Sequence, residues 1–200
     1  MSVFEPAAVD GAPGSDTPLD PAFFARPTLE VAPELLGAEL VRGPVRLRIV
    51  EVEAYLPDDS ACHARMGRTP RNAPMWGPPG HAYVYLCYGI HHLLNLVTER
   101  DGVPGAVLIR GAEVRAGHDI VRRRRGGRLD CIGPGKVAQA LGLTTAFSGR
   151  ALGDGRPDAL TVVAGPRPDD IRCTPRIGID YARPEHRAAP WRFITAPVRR

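Results

Sequence analysis

The chain has a single lysine, Lys136, among its 26 lysines and arginines. Amine chemistry, in which a lysine attacks a carbon centre and forms a Schiff base, therefore has one side chain to draw on besides the N-terminus. The four cysteines (Cys62, Cys87, Cys131 and Cys173) are far apart and form no CxxC. A zinc ribbon is excluded, no metal or other cofactor is called for, and free thiols in a reducing cytoplasm are expected. No apolar run approaches the ~18 residues of a membrane span, and no charged-then-apolar leader opens the chain. A soluble intracellular protein is expected, with no membrane partner. GxxxxGK[ST], GxSxG and HExxH are all missing, as are helix-turn-helix and zinc-finger signatures. Aromatic residues are only 6%, yet four of the five tyrosines (Tyr55, Tyr83, Tyr85 and Tyr88) fall within one stretch.

Two hundred residues suit one domain with a core of its own. Twenty-one prolines and 22 glycines predict many turns and rule against a helix bundle. A net charge of +4 and a pI near 9.1 favour a polyanionic partner. A GC-rich genome explains the preference for arginine as well as phosphate binding does.

Residues 1–18, small and rich in Pro and Gly, read as a disordered lead-in, and 19–200 as the domain. Thr28 is expected to cap a helix through Leu36, with Gly37 ending it. Phe23, Phe24, Val31, Leu35 and Leu36 read as core. Val45 to Tyr55 alternates as a strand. Simple parity puts Glu51, Glu53 and Tyr55 on the face of Ile49. A salt-bridged glutamate at a strand edge would account for Glu53 equally. Asp58 or Asp59 is expected to cap a turn carrying Cys62 and His63. Arg65, Arg68 and Arg71 form a basic cluster in a loop. Tyr83–Leu86 and Leu93–Val97 predict a hairpin with Tyr88-Gly89 at its tip. Val103–Arg110 reads as a strand and Ala112–Arg124 as a helix. Arg122–Arg125 reads more simply as a solvated run than as a nucleic-acid contact. Gly133 to Leu143 reads as a loop entering a helix, and Leu160–Ala164 as a strand.

EVEAY (51–55), a histidine eight residues on (His63), RTPRN (68–72), YVYLCYGIHHLLN (83–95), GAVLIRGAE (105–113), GPGKVAQAL (133–141) and PRIGIDYA (175–182) occur in this order. Together they resemble the alkyladenine/3-methyladenine DNA glycosylase family, from about Phe23 to Phe193. The resemblance implies an enzyme that flips a damaged purine out of double-stranded DNA and cuts its N-glycosidic bond. It makes Tyr55, His63 and Tyr85 the rings that stack on the base, and Tyr88 the residue that fills the gap. It makes Glu53 the base that activates water, with Arg110 and the Ile177 carbonyl holding that water. An arginine beside Glu53 is expected to keep it ionised. Asn95 becomes the gate against guanine. Arg65, Arg68, Arg71 and Lys136 are expected on the DNA backbone.

The fold expected is one α+β domain, a curved and mainly antiparallel β-sheet with helices around it and a protruding β-hairpin. A monomeric, cytoplasmic, nucleoid-associated bacterial enzyme without a cofactor is expected. Two other readings are a DNA-binding homologue without catalysis and a hydrolase of free nucleosides. The first would not need both Glu53 and Arg110. The second would need neither Tyr88 nor a basic surface.

Overall fold

A computed structural model describes residues 16–195. Its elements in chain order are α1 (Pro21–Phe24), α2 (Thr28–Glu34), β1 (Glu39–Arg42), β2 (Val45–Tyr55), β3 (Ala82–Cys87), β4 (His91–Val97) and β5 (Ala106–Ala116). There follow α3 (His118–Arg124), β6 (Cys131–Ile132), α4 (Pro134–Leu141), β7 (Thr161–Val163), β8 (Ile171–Thr174), α5 (Pro184–Ala188) and β9 (Arg192–Thr195). Two short 3-10 turns, His63–Met66 and Ala73–Trp76, lie between β2 and β3.

The nine strands form one sheet in which every pairing is antiparallel. The helices are few and short, so the fold is a single α+β domain. The sheet is organised by its two longest strands, β2 and β5, of 11 residues each. Beside β2, β1 pairs with Val45–Arg48 and β9 with Glu51–Glu53. Beside β5, β4 pairs with Ala106–Leu108 and β6 with Gly111–Ala112. Both strands therefore change neighbours near Val50 and Arg110.

The β2–β5 ladder is irregular at the same place: Ile49 faces Ala112, Glu51 faces Gly111 and Val52 faces Ile109. Val50 and Arg110 are left out, and a matched bulge resets the alternation on both strands. Val45, Leu47 and Ile49 point into the main core, and so do Val52 and Ala54. Glu51, Glu53 and Tyr55 therefore lie on the face opposite Ile49, contrary to the parity expectation. A bulge of this kind leaves no mark in a run of alternating residues.

Three other expectations are corrected. The segment from Ala112 to Ala116 continues β5 and is not helical. Pairing with β2 overrides its helical look, and α3 starts only after Gly117, whose φ of 75° ends the strand. Thr28 does not cap α2 but is its first residue. The cap comes from Glu99, whose carboxylate accepts the Thr28 N–H at 2.7 Å and its hydroxyl at 2.7 Å. Asp59 does cap the turn that carries Cys62, accepting the Ala61 N–H, but His63 opens a separate turn capped by the Cys62 sulfur, which accepts the Ala64 N–H.

Most of the lead-in, residues 1–15, lies outside the described residues. Asp16 is ion-paired with Arg46 at 2.5 Å, and Pro18 bridges to Val163 in β7. Ordered contacts thus start before residue 19. Phe24, Val31, Leu35 and Leu36 are buried, with Phe23 packed against them. The arginine run is divided. Arg122 and Arg123 are exposed, while Arg124 and Arg125 donate to Ala140 O and to Gln139 Oε1 and fasten α3 to α4. All four cysteines are free thiols. Among the described residues no helix is long and apolar enough to cross a membrane.

Candidate active site

The bulge face of β2 and β5 floors a cavity of about 600 Å³. Its walls include Tyr55 from β2, Tyr83 and Tyr85 from β3, Asn95 from β4, Arg110 from β5, His63 from the first 3-10 turn and Ile177 from the loop after β8. Tyr88, Arg65 and Arg71 stand at its edge.

The rings leave a slot. His63 and Tyr85 lie 4.4 Å apart between centroids, and Tyr83 lies 5.5 Å from Tyr85. Tyr55 lines the same cavity and has no ring contact with either His63 or Tyr85 among the described residues. Tyr55 is backed by the Arg176 guanidinium, 4.6 Å from its centroid. Burial and the nearby Arg71 and Arg65 push the His63 pKa down, so the imidazole is neutral at pH 7. Its Nδ1 is 3.0 Å from the hydroxyl of Tyr83, whose own pKa burial pushes up to about 12.

Glu53 is fully buried and lies one layer beneath this cavity. Its Oε1 accepts the Ile177 N–H at 2.8 Å. Its Oε2 accepts the Tyr55 hydroxyl at 2.9 Å and Arg110 Nη1 at 3.3 Å. Burial nevertheless pushes its carboxyl up from its ordinary value, with Arg110, Ile177, Tyr55 and Arg176 opposing. Arg110 favours the ionised form, as expected, while desolvation is the larger of the two effects on the pKa. Such a carboxylate is a stronger base than one in water.

The Asn95 amide nitrogen donates to Tyr83 O at 3.1 Å, which fixes the side chain against the wall. Tyr88 is 92% exposed, at φ 50°, on the tip of the β3–β4 hairpin. Arg71 is anchored to Leu86 O at 2.9 Å, and Arg65 lies over the Tyr181 ring at 5.1 Å. Two of the expected backbone contacts lie away from the walls. Arg68 is exposed with no contact to the cavity, and Lys136 is ion-paired with Asp130 at the start of α4.

Three further residues near the site carry no signal in motif spacing alone. Arg176 is buried with Asp59 and donates to Ala54 O at 2.8 Å, between the Tyr55 and Trp191 rings. Arg192 pairs with Glu51 at 2.7 Å, and Tyr181 donates to Ala61 O at 3.0 Å. Arg176 and Tyr181 both lie within PRIGIDYA, so the motif marked the place without showing the contacts.

The family model for methylpurine-DNA glycosylase (MPG) matches residues 22–198. The chain belongs to the methylpurine-DNA glycosylase family. It is 50% identical over 190 residues to a DNA-3-methyladenine glycosylase of Arabidopsis thaliana, covering 89% of this chain and 71% of the relative. It is 54% identical over 179 residues to a Nitrosococcus oceani protein provisionally named a 3-methyladenine DNA glycosylase, covering 88% of each. A Methanocella arvoryzae protein with the same provisional name is 49% identical over 183 residues, covering 86% of this glycosylase and 88% of the relative. The family's enzymes hydrolyse N-glycosidic bonds in DNA repair.

Proposed function

We propose that this glycosylase is monofunctional and removes alkylated or deaminated purines of the 3-methyladenine, hypoxanthine and ethenoadenine type from duplex DNA. The observation that carries the reading is the slot lined by Tyr55 and the His63–Tyr85 pair, whose wall residues Arg110, Tyr55 and Ile177 hold a buried carboxylate. A flat base stacked there regains ~1–3 kcal/mol per ring, against the few kcal/mol that flipping costs. A neutral His63 can stack on a cationic alkylpurine without repelling it.

Hydrolysis then needs one water. Glu53 takes its proton, the hydroxyl joins C1′, and the C1′–N electron pair leaves with the base. A cationic alkylpurine departs as a neutral molecule. A neutral purine departs as an anion and takes a proton from solvent. The sugar passes through an oxocarbenium-like state that the Glu53 carboxylate stabilises. Because Glu53 is covered, water reaches it where the 3.3 Å contact of Arg110 yields. Arg110 and the Ile177 backbone, its carbonyl included, then hold that water.

Lys136 supports water rather than an amine as nucleophile. It is neutralised by Asp130 and absent from the cavity wall. Borohydride added during turnover should therefore trap no protein–DNA adduct. The exposed Tyr88 favours a duplex substrate over a free nucleoside, which has no gap to fill. A cytoplasmic, nucleoid-associated monomer fits this role.

The deciding experiment incubates the protein with duplexes carrying hypoxanthine, ethenoadenine or 3-methyladenine and measures abasic product. Glu53→Gln should lower excision by about 10²–10⁴ while duplex binding persists. Excision by the variant near the wild-type rate would remove Glu53 from the role. The acid limb of the wild-type rate should lie at higher pH than that of a free glutamate, because burial raises the group that must be ionised.

A further inference from the structure

Glu51 is the second carboxylate of the β2 bulge and plays no part in the hydrolysis above. It is buried, yet it is not idle. Its Oε1 accepts Arg110 Nε at 3.2 Å and Arg192 Nε at 2.7 Å. Arg110 therefore spans two carboxylates, with Nε on Glu51 and Nη1 on Glu53. The backbone is built to allow this. Gly111 sits opposite Glu51 in the ladder, and a Cβ there would lie 3.0 Å from Glu51 Cβ and 3.3 Å from Oε2. The Arg110 carbonyl is held in turn by the Gly133 N–H at 2.7 Å, ahead of α4. Arg192 is fixed by its place in β9, opposite Glu53, and by Thr174 Oγ1 at 3.3 Å.

We propose that Glu51 is a positioning residue of the hydrolytic centre, holding the Arg110 guanidinium at the Glu53 carboxylate, with Arg192 as the opposing cation. The inference rests on the reading of Glu53 as the base. A single arginine–carboxylate contact lets the guanidinium swing. Two contacts from different nitrogens fix its plane, which matters where a water must fit between Arg110 and Glu53. Without Arg192, Glu51 would bind Arg110 alone and draw it from Glu53. With Arg192, the Glu51 charge is divided between two cations.

Charge coupling gives this arrangement a signature that packing alone lacks. The groups facing Glu53 are Glu51 and Tyr55 on its own strand, Arg110 on β5, Arg192 on β9, Tyr85 on β3, and Arg176 with the Ile177 N–H on the loop after β8. Catalysis requires ionised Glu53, so the rate rises with pH through its titration. Glu51→Gln removes a negative neighbour of Glu53. Ionisation becomes easier and the acid limb moves to lower pH. Arg192→Gln removes a positive neighbour, and the limb moves to higher pH. Each shift should be on the order of one pH unit. In both variants the plateau rate should fall on the order of tenfold, because Arg110 is less well placed.

The test measures single-turnover excision of hypoxanthine from duplex against pH. It compares wild type, Glu51→Gln, Arg192→Gln and the double variant, with duplex affinity as a control for folding. Opposite shifts in the single variants, cancelling in the double variant, are expected. The double variant keeps the net charge, so it reports even if one single variant folds poorly. Limbs that stay in place, or move in the same direction, would overturn the role of Glu51. Wild type without excision on any damaged duplex would instead overturn the proposed function, and this inference with it.

Discussion

The floor and the rim of the cavity are built on opposite principles. The floor is made of buried charges: Glu51, Glu53, Asp59 and Arg176 are all buried, and each is bonded to at least two groups. The rim is made of exposed apolar side chains and arginines. The large apolar side chains exposed among the described residues are Met66, Leu86, Tyr88, Ile90, Ile132, Ile177 and Tyr181. Tyr88, Ile177 and Tyr181 line the cavity, and Met66, Leu86 and Ile90 belong to the His63–Met66 turn and the hairpin that border it. An apolar surface left open in this way marks a place that finds its partner only on binding. Buried charges are costly to assemble and are set before substrate arrives. Substitutions on the floor should therefore cost stability and chemistry, and those on the rim should cost engagement of DNA alone.

The largest expected break of that contrast is at Asp59. It pairs with Arg176 through both carboxylate oxygens. Asp59→Ala would leave Arg176 a buried, uncompensated cation against Tyr55 and Trp191. A loss of about 3–5 kcal/mol in unfolding free energy is expected, read by urea denaturation. Replacing Asp59 and Arg176 together by apolar residues should restore much of it. A single variant as stable as wild type would mean that the floor is not held by this pair.

The rim was far more legible in the sequence than the floor. The hairpin, its tip at Tyr88 and the tyrosines of β3 followed from alternation and one glycine, because hairpins are local. The slot residues were found together, on motifs that keep their order. The floor depends on contacts across 59 to 141 residues of sequence, such as Glu51 with Arg110 and with Arg192. Nothing local announces these. Simple parity misplaces the face of Glu53 for the same reason, since the matched bulge exists only between two strands. The end of β5 has a helical look in sequence because its pairing with β2 is equally remote.

Rim substitutions sharpen the comparison. Tyr88→Ala should leave stability within about 0.5 kcal/mol of wild type, since the residue is 92% exposed in the free protein. Excision from duplex should nonetheless fall about tenfold more than excision from single strands, where no gap needs filling. Equal losses on both substrates would give Tyr88 a packing role instead. Asn95 sits between the two regimes, buried but facing the slot. Its bond to Tyr83 O prevents the side chain from swinging away, so crowding carries the gate. Asn95→Ser should raise excision of guanine-type bases relative to hypoxanthine several-fold, by about 1 kcal/mol in discrimination. An unchanged ratio would place selectivity elsewhere.

The smallest effect separates two cations that sequence alone treats alike. Arg68 is exposed in its loop, whereas Lys136 is ion-paired with Asp130. A cation that neutralises a phosphate releases about one counterion, so its loss flattens the plot of log affinity against log salt by about 0.9. Arg68→Ala should do so in full, with little change in stability. The Lys136–Asp130 pair carries no net charge, and a phosphate would have to displace the carboxylate to use the ammonium. Lys136→Met should therefore flatten the plot by clearly less than Arg68→Ala, and Asp130→Asn should steepen it by freeing the lysine. The measurement is duplex affinity between about 50 and 200 mM salt for the three variants. A full unit lost in Lys136→Met, with no change in Asp130→Asn, would show that the ion pair opens on DNA and that Lys136 acts as a rim residue after all.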